Sequence, residues 1–258
     1  MDILTEKDEE MAVSVILDIG EVMLTSGAEV NRVEDTIRRI GKAYGFPKVD
    51  IFTIINLMVM TVHTKKDRVI TQSRRVTSVG VDLEKVAKAN ALSRSVCASP
   101  VSLQELQLRV HDVIYNTKHY GMGVKLLSYV LGAASFTVFF GGGAYDAFAS
   151  AVASLAVCLM VTAGNKLRIH PIISTLMSSF VMSMLIAGLI SIGVGQSFDK
   201  IVIGNIMLLI PGLALTTSIR DIITGDTVSG LMGICEALLK AFAIAIGCAA
   251  TMLLTGII

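Results

Sequence analysis

Between Gly204 and Asp226 the chain carries its densest group of residues able to hold a small polar solute. Pro211 lacks an N–H and Gly212 lacks a side chain, so a helix through this point must kink or break. A break inside an apolar segment leaves carbonyls and amides free to bind an ion or an anion. Asn205, Thr216, Thr217 and Ser218 surround the break with neutral polar groups. Arg220 adds a guanidinium, whose planar fork suits a carboxylate. Asp221 and Asp226 add acidic partners for a salt bridge that opens and closes. A plain proline kink followed by an Arg–Asp pair at a membrane surface accounts for the same residues.

Other candidates are sparser. Glu236 and Lys240 stand four apart and share a helix face. They read either as an ion pair with a snorkelling lysine or as a proton or solute relay. Asp146 follows Gly141-Gly142-Gly143. That stretch reads as a simple turn, with Asp146 as a gate residue in the alternative. Asp146, Glu236 and Asp221 are the titratable candidates for coupling to an ion gradient. Asn31, Arg32, Glu34 and Asp35 cluster near the N-terminus, where a solvated helix face explains them without function. Cys97, Cys158, Cys235 and Cys248 form no C-x-x-C pair, and His63, His111, His119 and His170 form no metal-spaced pair. No metal and no cofactor is expected. Neither a nucleophile elbow nor a phosphate loop occurs.

The elements that hold these residues differ between the two halves. The 258 residues are 53% hydrophobic and 17% charged, with a net charge of +1. A near-neutral chain lacks the basic patch that nucleic acid requires. Residues 1–119 hold 32 charged side chains and residues 120–258 only 11, while glycine runs the other way, 5 against 17. Glycine lets helices approach closely in lipid. The pattern predicts an α+β cytoplasmic domain over 1–119, followed by an all-α polytopic membrane domain over 120–258.

Five apolar stretches approach the length that crosses the hydrocarbon core of a bilayer. They cover about 121–141, 144–163, 171–194, 201–219 and 231–257. Small residues recur at four-residue spacing, as Ala149/Ala153 and Ala243/Gly247/Thr251, for packing within the chain or against a partner. Lys118, Lys125, Lys166, Arg168 and Arg220 fall on one side of the spans and Lys200 on the other. The excess of basic residues on cytoplasmic loops then places the first set inside. Met1–Met11 is acidic and polar and does not read as a secretory signal. The N-terminal domain is therefore expected in the cytoplasm and the C-terminus outside.

In the first half, Met11–Leu24 has helical period, with Ser14, Asp18 and Glu21 on a polar stripe. Ser26-Gly27-Ala28-Glu29 has the form of a capping box, which predicts a second helix from there to Tyr44. Val49–Asn56, Leu57–Thr64 and Arg68–Val76 read as two or three antiparallel strands. Asp82–Ala98 and Ser102–Tyr115 read as helices.

Three stretches resemble a known family. Ser26-Gly27-Ala28-Glu29-Val30-Asn31-Arg32-Val33-Glu34 resembles the N-terminal signature of the threonine/serine exporter family, which includes a YjjP-like branch. Phe140-Gly141-Gly142-Gly143-Ala144-Tyr145-Asp146-Ala147 resembles its glycine turn. Pro211 through Asp221, with Gly225-Asp226 and Ser229-Gly230, resembles its most specific stretch. The resemblance implies a bacterial inner-membrane exporter of a small polar metabolite, with threonine and serine or a dicarboxylate such as succinate as substrate. It also implies that a short member pairs with a smaller multi-span membrane protein, whereas long members carry about ten spans. Five spans likewise point to that partner or to a homo-oligomer. The family defines no established catalytic residues.

The expectation is therefore a secondary exporter component, not an enzyme, driven by the proton motive force. Substrate binding or gating falls to Asn205, Pro211, Gly212, Thr216, Thr217, Arg220, Asp221 and Asp226. Coupling falls to Asp146, Glu236 or Lys240. The alternative is a membrane-anchored cytosolic enzyme or sensor whose active part is residues 1–119.

Overall fold

The computed structural model describes residues 5–77 and 80–256. The last residue of the fifth predicted span, Ile257, and the first four of the acidic N-terminal stretch lie outside the described residues. Two compact units emerge. The first comprises Met1–Lys118 and Leu213–Ile234, the second His119–Gly212 and Cys235–Ile258.

The first unit opens with α1 (Glu6–Thr25) and α2 (Val30–Ala43). Thr5 and Asp8 cap α1 reciprocally. The predicted capping box at Ser26 does not form. Ser26 is the C-cap of α1, and Gly27 takes a left-handed φ of 85° that ends the helix. The N–H of Ala28 then closes onto the Met23 carbonyl at 3.0 Å. Glycine holds such a conformation without steric cost, so here it serves as a terminator. The chain therefore enters α2 one turn later than the box implies, with no side-chain cap from its N-cap residue Glu29.

Three strands follow: β1 (Lys48–Ile54), β2 (Leu57–His63) and β3 (Val69–Arg75). They form an antiparallel meander in the order β1-β2-β3, with Val49 opposite Val62 and Met60 opposite Gln72. Met58, Met60 and Val62 alternate onto the buried face of β2. There they meet Ile16, Ile19, Ile37 and Ile40 from the first two helices. Each such side chain contributes on the order of 1.5–3 kcal/mol through burial. α3 (Leu83–Ala98) and α4 (Leu103–Tyr115), both expected as helices, close the core with Val96 and Leu106, and Asp82 and Ser102 cap them. Arg74 of β3 covers the polar stripe of α1, 2.7 Å from Ser14 and 3.1 Å from Asp18.

The second unit holds α5 (Met122–Phe139), α6 (Ala144–Lys166), α7 (Pro171–Ser191), the short α8 (Phe198–Ile206) and residues from Cys235 onward. The last of these lie in α10 (Thr227–Thr255), whose first turns belong to the other unit. Among the described residues, α5, α6, α7 and α10 are the four helices long and apolar enough to cross a membrane. The fourth predicted span, 201–219, is not one helix. It breaks into α8 and α9 (Gly212–Thr224), and neither has the length of a full crossing. Pro211 supplies the reason, because it cannot donate the hydrogen bond that would continue α8.

Polarity in this unit is inverted. Thr137, Ser150, Ser154, Ser178, Ser179 and Ser183 are buried, whereas Phe139, Phe148, Ile173, Phe242 and Leu253 are exposed. A water-soluble fold would hide the second set. In lipid, small polar residues hold helices together and apolar ones face outward. Ala149 and Ala153 are fully buried within the unit. Gly247 of α10 sits directly on α7, where an added Cβ would come 2.8 Å from the Leu176 carbonyl oxygen. Thr251 donates to the Phe180 carbonyl of the same helix at 3.3 Å. The four-residue spacing thus serves packing within the chain.

Candidate functional site

Two stretches far apart in sequence meet in the first unit. Arg220 of α9 lies 2.7 Å from the Glu29 carboxylate, just ahead of α2. The neighbouring Asp221 is buried, and its Oδ1 accepts the N–H of Val30, the first residue of α2, at 3.2 Å. α2 thus receives its N-terminal cap from residue 221. A carboxylate at a helix N-terminus satisfies an orphan amide and meets the positive end of the helix dipole.

The C-terminus of α9 shapes the rest. Gly225 has a φ of 105°, and the Asp226 N–H returns to the Asp221 carbonyl at 2.8 Å. That turn delivers Asp226 beside Asp221 at the start of α10. Glu34, one turn along α2 from Val30, accepts the Thr53 N–H of β1 at 2.8 Å. The Ser229 hydroxyl of α10 donates to the Thr53 carbonyl at 3.5 Å. Gly230 and Gly233 allow α10 to reach this position. A Cβ at Gly230 would lie 3.0 Å from the Ile222 nitrogen, and one at Gly233 3.1 Å from the Ser218 Cβ.

A cleft of about 360 Å³ opens beside the ion pair, lined by Glu29, Asn31, Arg32, Asp35, Arg220 and Thr224. Asp35 is held by Arg39 at 2.7 Å. The cleft offers both guanidinium and carboxylate groups, which can hold a small solute bearing a carboxylate.

Burial pushes the Asp221 carboxyl up to about 6, helped by the nearby Asp226 and Glu29 charges and opposed by the Val30 N–H and Arg220. Burial also raises Asp226. Glu34 is raised by burial first, with Asp226 adding to the shift and the Thr53 N–H, Arg38 and the Thr53 hydroxyl opposing it. The sign for Asp221 follows directly. Its carboxyl holds a proton more firmly in the folded state, so its charge costs stability as pH rises from about 4 to about 6, by up to about 3 kcal/mol. The Asp221→Asn variant should lose that pH dependence. Thermal melting of the detergent-solubilised protein at about pH 4 and about pH 7, on either side of that window, checks it. An unchanged pH dependence would contradict the assignment.

Of the positions named from sequence, Thr216, Thr217, Arg220, Asp221 and Asp226 belong to this unit. The Thr217 hydroxyl donates to the Ala214 carbonyl of its own helix at 3.0 Å. Pro211 and Gly212 form the break itself. Asn205 lies in the second unit, fully buried at the end of α8. Its Nδ2 donates to the Ser150 Oγ at 2.8 Å, and that Oγ accepts the Thr137 hydroxyl at 2.7 Å. Asp146, also in the second unit, accepts backbone N–H groups from Gly143, Gln196 and Ser197 at 3.1, 2.6 and 3.1 Å. Its carboxylate therefore staples the glycine turn to the segment entering α8. Glu236 and Lys240 pair at 2.8 Å along α10.

Glu29, Thr53 and Ser229 are the members of the first cluster that spacing did not reveal, and Glu34 read as a solvated face. For Glu29 the available signal was its place in a resemblance motif that, like the one holding Arg220 and Asp221, is rich in charge; nothing comparable marked Thr53.

No solved structure matches this fold. A family profile described as "Putative threonine/serine exporter" matches residues 14–255. The chain is 22% identical over 228 residues to a Corynebacterium glutamicum protein named "Threonine/serine exporter", covering 86% of this chain and 46% of that relative. It thus spans about half the length of that protein. It is also 22% identical over 254 residues to a Klebsiella aerogenes protein named "Probable succinate transporter subunit YjjP", covering 98% of this chain and 97% of that one. With its profile match running through the α2 entry, the broken segment and α10, the chain belongs to the threonine/serine exporter family.

Proposed function

We propose that this chain is one component of a secondary exporter for a small polar metabolite that carries a carboxylate. A threonine- or serine-type amino acid and a dicarboxylate such as succinate both meet that description. The observation that carries the reading is the meeting of the two family motifs at Glu29–Arg220 and Val30–Asp221, beside a mixed-charge cleft. In this reading the solute carboxylate competes with Glu29 for Arg220, and Asp221 and Asp226 form the gate behind it. The inverted polarity of the second unit supports a bilayer as its solvent.

The drive is the proton motive force, in keeping with a sequence that has no phosphate loop. The remaining spans come from a smaller membrane subunit or from a second copy. The word "subunit" in the name of the Klebsiella relative and the greater length of the Corynebacterium one support this. Residues 1–119 face the cytoplasm at the bacterial inner membrane. A C-terminus outside then requires residues 201–219, though divided by the break, to count as one crossing.

Cells loaded with a threonine-containing dipeptide, and separately with succinate, test the proposal. The chain is expressed alone and with a candidate small subunit. Efflux of one solute only when both chains are present is the expected result. No efflux of either solute, with both chains confirmed in the membrane, would overturn it.

A further inference from the structure

A second cleft of about 360 Å³ opens in the first unit, where the C-terminal halves of α1 and α4 meet the first turn of α3. Asp18, Glu21 and Val22 line it from α1, Lys85 from α3, and Ile114 and Tyr115 from α4. Among the described residues, none lines both this cleft and the one beside Arg220. Ligand clefts run from about 300 to 1,000 Å³, so a cleft at the small end suits a metabolite of a few heavy atoms.

The charges around this cleft balance without closing on one another. Arg74 of β3 lies 3.1 Å from Asp18 and only 4.0 Å from Glu21, so it neutralises one of the two carboxylates. Lys85 is half-buried, and among the described residues no acid forms an ion pair with its ammonium. One negative and one positive charge therefore face the same space unpaired. A charge taken partly out of water is costly until something pairs with it. The backbone holds the two walls in place. The Gly80 N–H donates to the Thr25 carbonyl at 2.8 Å and the Asp82 N–H to the Ser26 carbonyl at 3.0 Å, which fixes the start of α3 against the end of α1. Val22 and Ile114 supply apolar surface between the charges, and the exposed Tyr115 ring lies 4.4 Å from that of His111.

We propose that this cleft binds a small amino acid in its zwitterionic form. The ligand's ammonium donates to Glu21 and Asp18, in place of the loose Arg74–Glu21 contact. Its carboxylate accepts from Lys85, and its side chain rests on Val22, Ile114 and the Tyr115 ring. One ligand charge of each sign matches the two that the cleft leaves unpaired. A dicarboxylate brings no donor for the acids, and a diamine brings no acceptor for Lys85. The preset walls lower the ordering cost of binding. The site goes beyond the exporter reading and does not depend on it, because it uses none of the groups around Arg220.

Binding of radiolabelled L-threonine to the full chain in lipid nanodiscs tests the site without transport. The assay is run in the Arg220→Ala background, which removes the guanidinium of the other cleft, so the binding that remains reports this one. Saturable binding is expected there, displaced by L-serine but not by succinate or by putrescine. Lys85→Met and Glu21→Gln should each weaken it about tenfold or more, the worth of one charge-assisted hydrogen bond. Lys85→Arg, which keeps the cation, should retain most of it. The melting temperature of these variants should stay at the parent value, because neither side chain holds a close ion pair. Absence of saturable binding up to about 10 mM threonine, equal binding in either Lys85→Met or Glu21→Gln, or displacement by succinate would overturn the proposal.

The two readings fail separately. If threonine binds as expected while the wild type exports neither solute, the exporter reading falls and the zwitterion site stands. If export proceeds while Arg220→Ala binds no threonine, the zwitterion site falls and the exporter reading stands.

Discussion

Export by the Arg220→Ala variant is expected to fall about tenfold or more, the worth of one charge-assisted hydrogen bond to a carboxylate. The amount of protein in the membrane should not change. The two expectations separate because the Arg220 side chain is 64% exposed. An exposed ion pair contributes at most about 1 kcal/mol to folding, so removing it leaves the unit intact. The same exposure leaves the guanidinium accessible to a solute in the cleft. Efflux normalised to immunoblot intensity measures both quantities. Wild-type efflux would contradict the role, and loss of the protein from the membrane would contradict the stability argument.

The second large effect concerns the helix that precedes the break. Gly204 of α8 lies against α5, where an added Cβ would sit 2.8 Å from the Thr137 nitrogen and 3.0 Å from the Ala133 carbonyl oxygen. Both neighbours are backbone and cannot swing aside. Gly204→Leu must therefore push α8 off α5, pulling Ile201 and Asn205 from their buried sites. Overpacking of this kind costs about 3 kcal/mol or more. The melting temperature of the purified protein should drop sharply, and export should fail with it. Gly188→Ala is the control, since nothing lies within 4 Å of a Cβ there. Equal melting of Gly204→Leu and wild type would show that α8 is not packed as described.

How far these features were legible in the sequence depended on the range of the interactions behind them. Charge density and apolar length are local properties, and they separate residues rich in ionised groups from the long helices α5, α6, α7 and α10. The strand pattern of β1 to β3 was visible for the same reason, because alternation along a strand records which face is buried. Pro211 also announced the break between α8 and α9, since a missing N–H acts on its own helix. That break left four long helices where hydropathy outlined five stretches.

Contacts between separate elements were not legible. The Ser26–Glu29 pattern matches a local capping box, yet Gly27 terminates α1 and the cap of α2 comes from Asp221. Glu34 has the spacing of a solvated face, but Thr53 of β1 covers it. Asp146 could be recognised as an acid after a glycine turn. Its backbone donors at Gln196 and Ser197 lie fifty residues further on and leave no periodic trace. The resemblance of the two motifs to one family identified both segments, while only the fold shows that Glu29 and Val30 touch Arg220 and Asp221.

The central claim is that these two motifs form one functional site, and reversing the Glu29–Arg220 pair tests it most directly. Export is measured for Glu29→Arg, for Arg220→Glu and for the double variant, at equal membrane levels. Each single reversal places two like charges at the 2.7 Å contact and should abolish export. The double variant restores the attraction and should recover much of the lost activity. A double variant no better than either single one would contradict the claim.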